Sequence, residues 1–337
     1  MENYQEILDK QKELLPNDIK WWPNFLYHFT DVHNASHILY EGFIWSRKQA
    51  EEMHVMMNDN ASYAVISSTN QDNKCYGRLY FRPMTPTQYH NEGYKPLAVR
   101  NKEIDANCPV PIFLCLGANA TLNLSGTCFA EMGIAGHRHN ICSGIEAFKQ
   151  LNFQKIYHNG WYPPEEGDIK YYRQSEVIRE NGFPVEPLLK GILCRSEAER
   201  ETLLFLLSQY SMRLYNTYKG KVLYNPKSQC FFNNGIFVKM VQVLEDRLLI
   251  EFNDPEQRMT KQEHVDIEVQ VDVIYKRLDG SVVNATTVKA VLDYCNVRKC
   301  EYIIAKEIIY DLLRVKILID ENVMFENEIN VREITVF

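Results

Sequence analysis

The segment DIEVQVDVIY, residues 266–275, alternates polar and apolar side chains along its whole length. This period of two is typical of a strand that has one face in a core and the other in solvent. The runs VKMVQVL and RLLIEF come before it, and more apolar strands follow to the end of the sequence. These patterns predict a β-rich accessory domain over residues 216–337. Within it, ATTVKAVLDYC, residues 285–295, is predicted to form a helix.

The first part of the chain mixes strands with helices. NFLYHFT and PVPIFLCLG predict strands, and the second is continuous enough in apolar residues to be buried on both faces. Between them, DVHNASHILYEGF predicts a helix with a cap near Asp31 or Asn34 and an end at Gly42. We therefore predict an α+β domain over residues 28–215, after a helical lead-in over residues 1–27.

Composition bounds the functions that fit such a chain. A length of 337 residues is typical of two domains. The formal net charge of −7 argues against a protein that coats nucleic acid, but it is compatible with a local groove for a few nucleotides. Nine scattered cysteines without a CxxC pair indicate a reduced, cytoplasmic protein. The sequence shows no secretory signal and no membrane-spanning stretch, so we expect a soluble protein.

One carboxylate interrupts a run of strand-forming residues. Glu176 lies in YYRQSEVI, residues 171–178, which we predict as a strand at a sheet edge because tyrosine, valine and isoleucine favour pleated surfaces. In the simpler interpretation, Glu176 is a solvated residue that pairs with Arg173 or Arg179. In the other, it is a catalytic carboxylate on a rigid element below the loop WYPPEEGD. The segment alone favours the simpler interpretation.

Several motifs follow one another in an order that is typical of one family. YHFTDVHNASHILYEGF comes first, then YGRLYFRPMTPTQYHNEG, then FAEMG, and finally YYRQSEVI before GFP. This order resembles the DarT family of bacterial DNA ADP-ribosyltransferases, over about residues 24–200. The resemblance implies an ADP-ribosyltransferase fold, with two small antiparallel sheets around an NAD cleft. It also implies transfer of ADP-ribose from NAD onto a base of single-stranded DNA.

The resemblance further implies the residues of the NAD site. Glu176 is expected to be the catalytic glutamate, which stabilises positive charge on the ribose and takes a proton from the attacking base. His28 and Thr30 are expected to bind NAD, although His28 without its motif is typical of a packed histidine. The other expected NAD contacts are Phe29, His37, Ile44, Arg47, Tyr80 and Tyr89. We expect no metal, although His137 and His139 come closest to metal spacing.

An arginine marks the point where this sequence departs from the family. The family carries it in the polar segment after the first helix, where it acts near the pyrophosphate and the base. Residues 59–75 contain no arginine. Arg78 or Arg82 is therefore expected to bind the diphosphate, and we assign Arg78 to catalysis. The departure leaves the modified base open between thymidine and guanosine.

The stretch YFRPMTPTQYHNEG, residues 80–93, allows two interpretations. Its prolines and aromatics can simply form a turn beside the core. Alternatively, Tyr89 and His90 line the nicotinamide pocket, and Asn91 and Glu92 shape its wall.

Four residues are expected to contact DNA. Trp161 lies in the loop before Glu176 and is expected to stack on a base. Lys170 and Arg173 lie close to Glu176 in sequence, and Met132 belongs to FAEMG. For the two basic residues, pairing with nearby acids is an equal alternative, and those acids are Glu165, Glu166 and Asp168.

The function that follows is that of an NAD-dependent DNA ADP-ribosyltransferase. The resemblance implies a toxin or phage-defence effector, restrained by a macrodomain-type antitoxin that removes the mark. One alternative keeps the NAD site but changes the acceptor to RNA or protein, and the missing arginine supports it. Another is a non-catalytic protein whose β-rich half binds a partner.

Overall fold

The computed structural model of the protein describes residues 3–53, 71–100, 107–135, 140–258, 260–305 and 307–331. Its α-helices are α1 (Tyr4–Leu14), α2 (Val32–Glu41), α3 (Arg47–Glu52), α4 (Pro86–Asn91), α5 (Ala118–Leu122), α6 (Ile145–Lys149), α7 (Phe153–Ile156), α8 (Ile169–Tyr172), α9 (Glu197–Tyr210) and α10 (Met212–Tyr218). Short 3-10 helices lie at Trp22–Asn24, Gln71–Cys75, Pro164–Glu166 and Pro255–Arg258.

Its strands are β1 (Phe25–Asp31), β2 (Phe43–Ile44), β3 (Tyr76–Tyr80), β4 (Pro111–Gly117), β5 (Thr127–Ala130), β6 (Ile141–Cys142), β7 (Glu176–Glu180), β8 (Phe183–Pro184), β9 (Leu189–Cys194), β10 (Val222–Tyr224), β11 (Val238–Val243), β12 (Arg247–Phe252), β13 (Asp266–Lys276), β14 (Val282–Asp293), β15 (Lys299–Ile303), β16 (Leu312–Ile319) and β17 (Asn322–Asn330).

An eight-stranded sheet lies at the centre of the first part, in the order β10-β9-β4-β1-β3-β7-β5-β6. Its neighbouring strands are antiparallel except for the parallel pair of β9 and β10. β1 and β3 share a single register pair, Tyr27 with Tyr80. The sheet therefore consists of two four-stranded halves joined at one point. The predicted α+β fold with two small antiparallel sheets is confirmed in this form.

The predicted strand and helix ends of the first half agree with the structure. All residues of β4 are buried, as expected for a strand covered on both faces. Asp31 precedes α2, and its carboxylate accepts a hydrogen bond from the backbone N–H of His33. Gly42 ends the helix in the left-handed conformation, with φ of 71°, which glycine adopts without a steric penalty.

Two predicted elements are wrong. Tyr171 and Tyr172 belong to α8, because the N–H groups of Tyr171 and Arg173 donate to the carbonyls of Asp168 and Ile169 in a helical turn. The strand begins only at Glu176. That strand, β7, lies between β3 and β5 and is not at an edge. The segment predicted as a helix over residues 285–295 instead forms most of β14, because its β-branched residues pair along the whole of β13.

The C-terminal region is β-rich, as predicted. Three strands form one sheet in the order β11-β12-β15, and four form another in the order β14-β13-β16-β17. Helix α9 packs against β17, where the Thr202 hydroxyl accepts a hydrogen bond from the backbone N–H of Glu326. Strand β10, beyond residue 216, pairs with the central sheet. The division of the chain at residues 215 and 216 stays a prediction.

No helix within the described ranges combines the length and apolar character needed to cross a membrane.

Candidate functional site

A row of register partners places Glu176 on one face of the central sheet. Tyr27 pairs with Tyr80, Tyr80 with Glu176, and Glu176 with Ala130. Register partners in a sheet present their side chains to the same face, so these four residues lie side by side across it. The carboxylate is on the first residue of β7 and is almost fully buried, with an exposed fraction of 3%.

The contacts of Glu176 differ from those of a solvated strand residue. The backbone N–H of Ile134 donates to its Oε2 at 2.7 Å, and Nη1 of Arg78 lies 3.8 Å from its Oε1. Arg173 and Arg179, the partners of the simpler interpretation, donate elsewhere: Arg173 to the Gly160 carbonyl and Arg179 to that of Gly182. Pairing of Glu176 with either of them is therefore wrong.

Three hydrogen bonds and the ion-pair contact at 3.8 Å form a circuit through Arg78 and Glu176. Nη2 of Arg78 donates to the Asn73 carbonyl at 3.0 Å, and the Asn73 side-chain amide donates to the Ile134 carbonyl at 2.9 Å. The Ile134 N–H then donates to Glu176. One asparagine thus contacts both the arginine and the residue whose N–H binds the glutamate. Sequence reasoning missed Asn73, because nothing in the NQDNK pattern distinguishes it from a surface residue.

His28 lies where the two sheet halves separate. If the pairing of β1 with β3 continued past Tyr27 and Tyr80, Phe29 would face Arg78, but no such pair forms. Instead, Nδ1 of His28 lies 3.2 Å from the Arg78 carbonyl. Since a carbonyl only accepts, Nδ1 carries the hydrogen and Nε2 presents a lone pair. Burial lowers the pKa of His28, so the ring is neutral near pH 7.

An aromatic cluster continues the same face of the sheet. The Phe29 and Phe113 rings lie 5.3 Å apart, and Tyr80 packs against the same group. Burial and, to a lesser degree, the Glu176 carboxylate raise the pKa of Tyr80. Its hydroxyl therefore stays protonated next to the glutamate and near Thr87 of α4.

Arg82, the other arginine considered for the diphosphate, is buried and fully engaged. Its guanidinium lies 4.6 Å from the ring centre of Trp22 and donates to the carbonyls of Pro83 and His158. Burial lowers the pKa of Arg82 to about 9, and nearby Arg173 adds to the shift. Arg82 thus anchors the loop before Glu176. Arg78, with an exposed side-chain fraction of 26%, remains the available arginine.

The loop before Glu176 is held from inside and exposes one large ring. Arg173 donates to His158 Nδ1 at 2.7 Å and lies over the Tyr162 ring at 4.9 Å, so it supports the loop. Trp161 at the tip is 81% exposed. Lys170 lies over the Tyr171 ring at 4.8 Å. Pairing of these basic residues with the nearby acids is wrong: within the described residues Asp168 pairs with Lys155 instead, at 2.5 Å.

The other expected NAD and DNA residues are distributed around this centre. Thr30 is buried at the end of β1, Ile44 is buried in β2, and Arg47 begins α3 and pairs with Glu51. His37 lies apart from them, on α2, with Nδ1 3.2 Å from the Tyr210 hydroxyl of α9. Two expected residues remain partly accessible, and these are Tyr89 of α4 and Met132 after β5.

The described residues contain no group of three or more histidine, cysteine or acidic side chains that could hold a metal ion. His137 and His139 lie outside the described residues, so their spacing stays a sequence observation.

The split sheet and the paired glutamate and arginine define an α+β enzyme of the ADP-ribosyltransferase class. A family model described as "ssDNA thymidine ADP-ribosyltransferase, DarT" matches residues 27–224, more than half of the chain. The chain belongs to the DarT family. The curated proteins compared with it include no match.

Solved structures similar to this chain include DarT of Thermus sp. 2.9. Its complex with NAD+ has a TM-score of 0.45 and 19% identity, covering 60% of this chain and 96% of that one. Its complex with ADP-ribosylated ssDNA has a TM-score of 0.47 and 19% identity, covering 60% and 95%. Thermosipho africanus DarTG with ADP-ribose has a TM-score of 0.48 and 16% identity, covering 66% and 54%.

Proposed function

We propose that this protein transfers ADP-ribose from NAD onto the thymine base of single-stranded DNA and releases nicotinamide. The observation that carries the proposal is the buried Glu176 carboxylate, held by a backbone N–H and by Arg78 on the face of a DarT-family sheet that also carries Tyr80. Guanosine is the other base that fits the sequence, and the experiment below includes it.

NAD supplies an activated ribose, in which nicotinamide leaves with the electron pair of the broken C1′–N bond. Arg78 has donors left beyond its bond to Asn73, and these suit the diphosphate oxygens. His28 Nε2 suits a ribose hydroxyl or the nicotinamide amide as an acceptor. We assign the surrounding NAD contacts to Phe29, Thr30, His37, Ile44, Arg47, Tyr80 and Tyr89. The set combines aromatic faces of Phe29, Tyr80 and Tyr89 with polar groups of Thr30, His37 and Arg47, and both kinds of group suit a nucleotide.

Glu176 has two roles in the proposed step. Its carboxylate stabilises the positive charge that develops on the ribose, and its burial strengthens this interaction. It then accepts the proton from the ring nitrogen of the base, whose electron pair forms the new bond to C1′. The Ile134 N–H and Arg78 hold the carboxylate in position through both events. A rigid strand suits this task because small displacements of a catalytic group are costly.

The DNA strand is proposed to run past the loop before Glu176. Trp161 provides a stacking surface, and Lys170 provides positive charge. Arg173 acts mainly by holding that loop, and Met132 is assigned to the DNA contact from its position shortly after β5, whose Ala130 is the register partner of Glu176. A short contact of this kind fits a chain with a net charge of −7.

The biological role that we propose is that of a toxin or phage-defence effector. A base that carries ADP-ribose obstructs copying of the strand, so a cell that makes such an enzyme needs a means to restrain it. The matching partner is an antitoxin of the macrodomain type that removes ADP-ribose.

The test is intact-mass measurement of single-stranded oligonucleotides incubated with the protein and NAD, each oligonucleotide having one kind of candidate base. The expected result is one added ADP-ribose on the thymidine oligonucleotide alone. Glu176→Gln should reduce the rate by about 100-fold or more, since general-base contributions are typically of this size. Glu180→Gln is the matched control, because Glu180 is exposed on the same strand and should transfer normally.

Addition to the guanosine oligonucleotide would name the other base. Label on RNA or protein, without any on DNA, would show that the acceptor is RNA or protein and not DNA. Equal transfer rates for Glu176→Gln and the parent protein would show that Glu176 is not a catalytic residue.

A further inference from the structure

A segment beyond the family-matching residues lies beside the candidate site. Ser228–Gly235 follows β10 and crosses the face of the sheet that carries Glu176. The ring of Phe231 lies 5.3 Å from Phe113 and belongs to the cluster against which Tyr80 packs. Tyr80 is the register partner of Glu176. The segment therefore lies next to the site, although it follows residue 224, where the family match ends.

Helix α4 connects this segment to the catalytic face. On one side of the helix, Thr87 lies near Tyr80 and donates to Gln174 at 3.3 Å. On the other side, Gln88 donates to the Cys230 carbonyl at 2.6 Å. Contacts of a single short helix thus fix the segment relative to the residues around Glu176.

A buried carboxylate fixes the connection further. Glu92 accepts hydrogen bonds from the backbone N–H groups of Phe232 at 3.0 Å and Asn233 at 2.6 Å. It also accepts from Gln88 at 2.7 Å, and Arg195 lies 3.8 Å away. A buried charge with this many donors holds both backbones in one arrangement.

The result is an aromatic pair at the surface. The rings of Phe232 and Tyr89 meet edge to face, 5.2 Å apart at 86°, and the Tyr89 carbonyl accepts from the Asn234 amide at 3.0 Å. Tyr89 is 38% exposed and Phe232 is half-buried. Two such rings leave one aromatic face accessible to a flat ligand ring.

We propose that Phe232 is a specificity-determining residue of the transferase site, which forms with Tyr89 a surface that stacks a flat heteroaromatic ring of a substrate. This ring is either the nicotinamide of NAD or a base of the DNA strand. The inference rests on the proposed function for the identity of these two ligands. It assigns to the site a residue outside the family-matching part of the chain.

The test measures binding, so that it does not depend on turnover. In the Glu176→Gln background, the dissociation constants for NAD and for a thymidine oligonucleotide are measured with and without Phe232→Ala. Loss of stacking should raise the dissociation constant of one ligand about 10-fold and leave that of the other unchanged. The ligand with the raised constant is the one whose ring stacks on Phe232. Phe232→Trp should restore affinity. Phe232→Leu, which keeps apolar volume but no π face, should remain weak.

Tyr310→Ala is the matched control, because Tyr310 forms a comparable edge-to-face pair with Tyr275 in the C-terminal region, with ring centres 4.9 Å apart. It should leave both dissociation constants unchanged. Unchanged constants in Phe232→Ala, or equal recovery by Phe232→Leu and Phe232→Trp, would overturn the inference. A parent protein that binds both ligands but transfers nothing would contradict the proposed function alone.

Discussion

Asn73 acts on two candidate catalytic residues at once. Its backbone carbonyl accepts from Arg78, and its side-chain amide donates to the carbonyl of Ile134, the residue whose N–H donates to Glu176. Loss of the Asn73 side chain would remove only the bond to Ile134, because Arg78 donates to the Asn73 backbone carbonyl. The coupling belongs to the folded arrangement, because Asn73 and Ile134 are distant in sequence.

Asn73→Ala should lower kcat by about 10-fold, because the buried Ile134 carbonyl loses its donor at a cost of about 1–3 kcal/mol and the Ile134 backbone, whose N–H binds Glu176, shifts. Steady-state kinetics together with thermal unfolding measure this. Asn123→Ala is the control, since Asn123 makes a similar amide-to-carbonyl bond at the surface. A lower unfolding temperature with normal kcat would mean that Asn73 is only structural.

His28 should give NAD binding a pH dependence. Because burial lowers its pKa below the ordinary value of 6.5, the ring is neutral above that pH and Nε2 accepts. As the pH falls through the lowered pKa, Nε2 becomes protonated and can no longer accept. The KM for NAD should therefore be constant from pH 8 to about 6.5 and rise at lower pH. The lowered pKa also means that stability present above pH 6.5 is lost as the pH falls further.

KM measured against pH tests this, with His28→Gln and His264→Gln compared. His28→Gln should remove the acid rise. His264→Gln should keep it, because His264 is exposed in the C-terminal region. A rise that persists in His28→Gln would assign the titration to another group.

At the scale of elements, the loop between α7 and α8 is held in place by the side chains of two arginines. Arg82 and Arg173 donate to His158 and Gly160, so a segment with little regular structure has a defined path. The tip carrying Trp161 is left exposed. An anchored base with an exposed aromatic tip is typical of loops that contact ligands.

Trp161→Ala should raise the KM for the oligonucleotide and leave the KM for NAD unchanged. Stacking of one base contributes about 1–3 kcal/mol, so the expected increase is about 10-fold or more. Leu97→Ala, another exposed apolar side chain, is the control and should change neither constant. An equal increase in both KM values would indicate that the loop acts on NAD or on the fold.

Elements with a clear local pattern could be predicted from the sequence. The continuous apolar run of β4 and the capped helix α2 carry their own signals, and both are confirmed. The helix predicted over residues 285–295 is wrong. The stretch VNATTVKAVL has apolar residues near helical spacing, but in the structure it pairs with β13 in a long antiparallel hairpin, which the local pattern does not show. Tyr171 and Tyr172 have high strand propensity, but in the structure they form the end of the short helix α8 that precedes β7.

The same contrast applies to the site. The glutamate and its motif order are visible in the sequence, and the motif order led to the DarT family, which the family match confirms. The roles assigned to single residues stay predictions. The circuit through Asn73 and the contacts of Glu92 join segments far apart in the chain, so no local pattern indicates them.

At the scale of the whole molecule, the C-terminal region is connected to the transferase sheet at several places. Ser196 donates to the Val238 carbonyl at 2.7 Å, and Thr202 accepts from Glu326. Arg195 pairs with Glu199 and also donates to the Asn234 carbonyl. Helix α9 and the residue before it thus join both parts. The catalytic unit therefore depends on residues that follow the family-matching part.

A chain that ends at Tyr224 should consequently fold poorly and lose transferase activity, although it contains all family-matching residues. It lacks Phe231, which packs in the aromatic cluster beside Tyr80, and it lacks the two backbone N–H groups that donate to Glu92. Loss of donors to one buried charge costs about 3–5 kcal/mol, a large part of the stability of a typical domain. Circular dichroism, thermal unfolding and oligonucleotide mass gain measure the outcome.

Glu92→Gln in the full chain separates the two causes, because it removes the charge but keeps Phe231 in place. Cooperative unfolding and normal transfer by the shortened chain would show instead that the transferase unit is complete at residue 224.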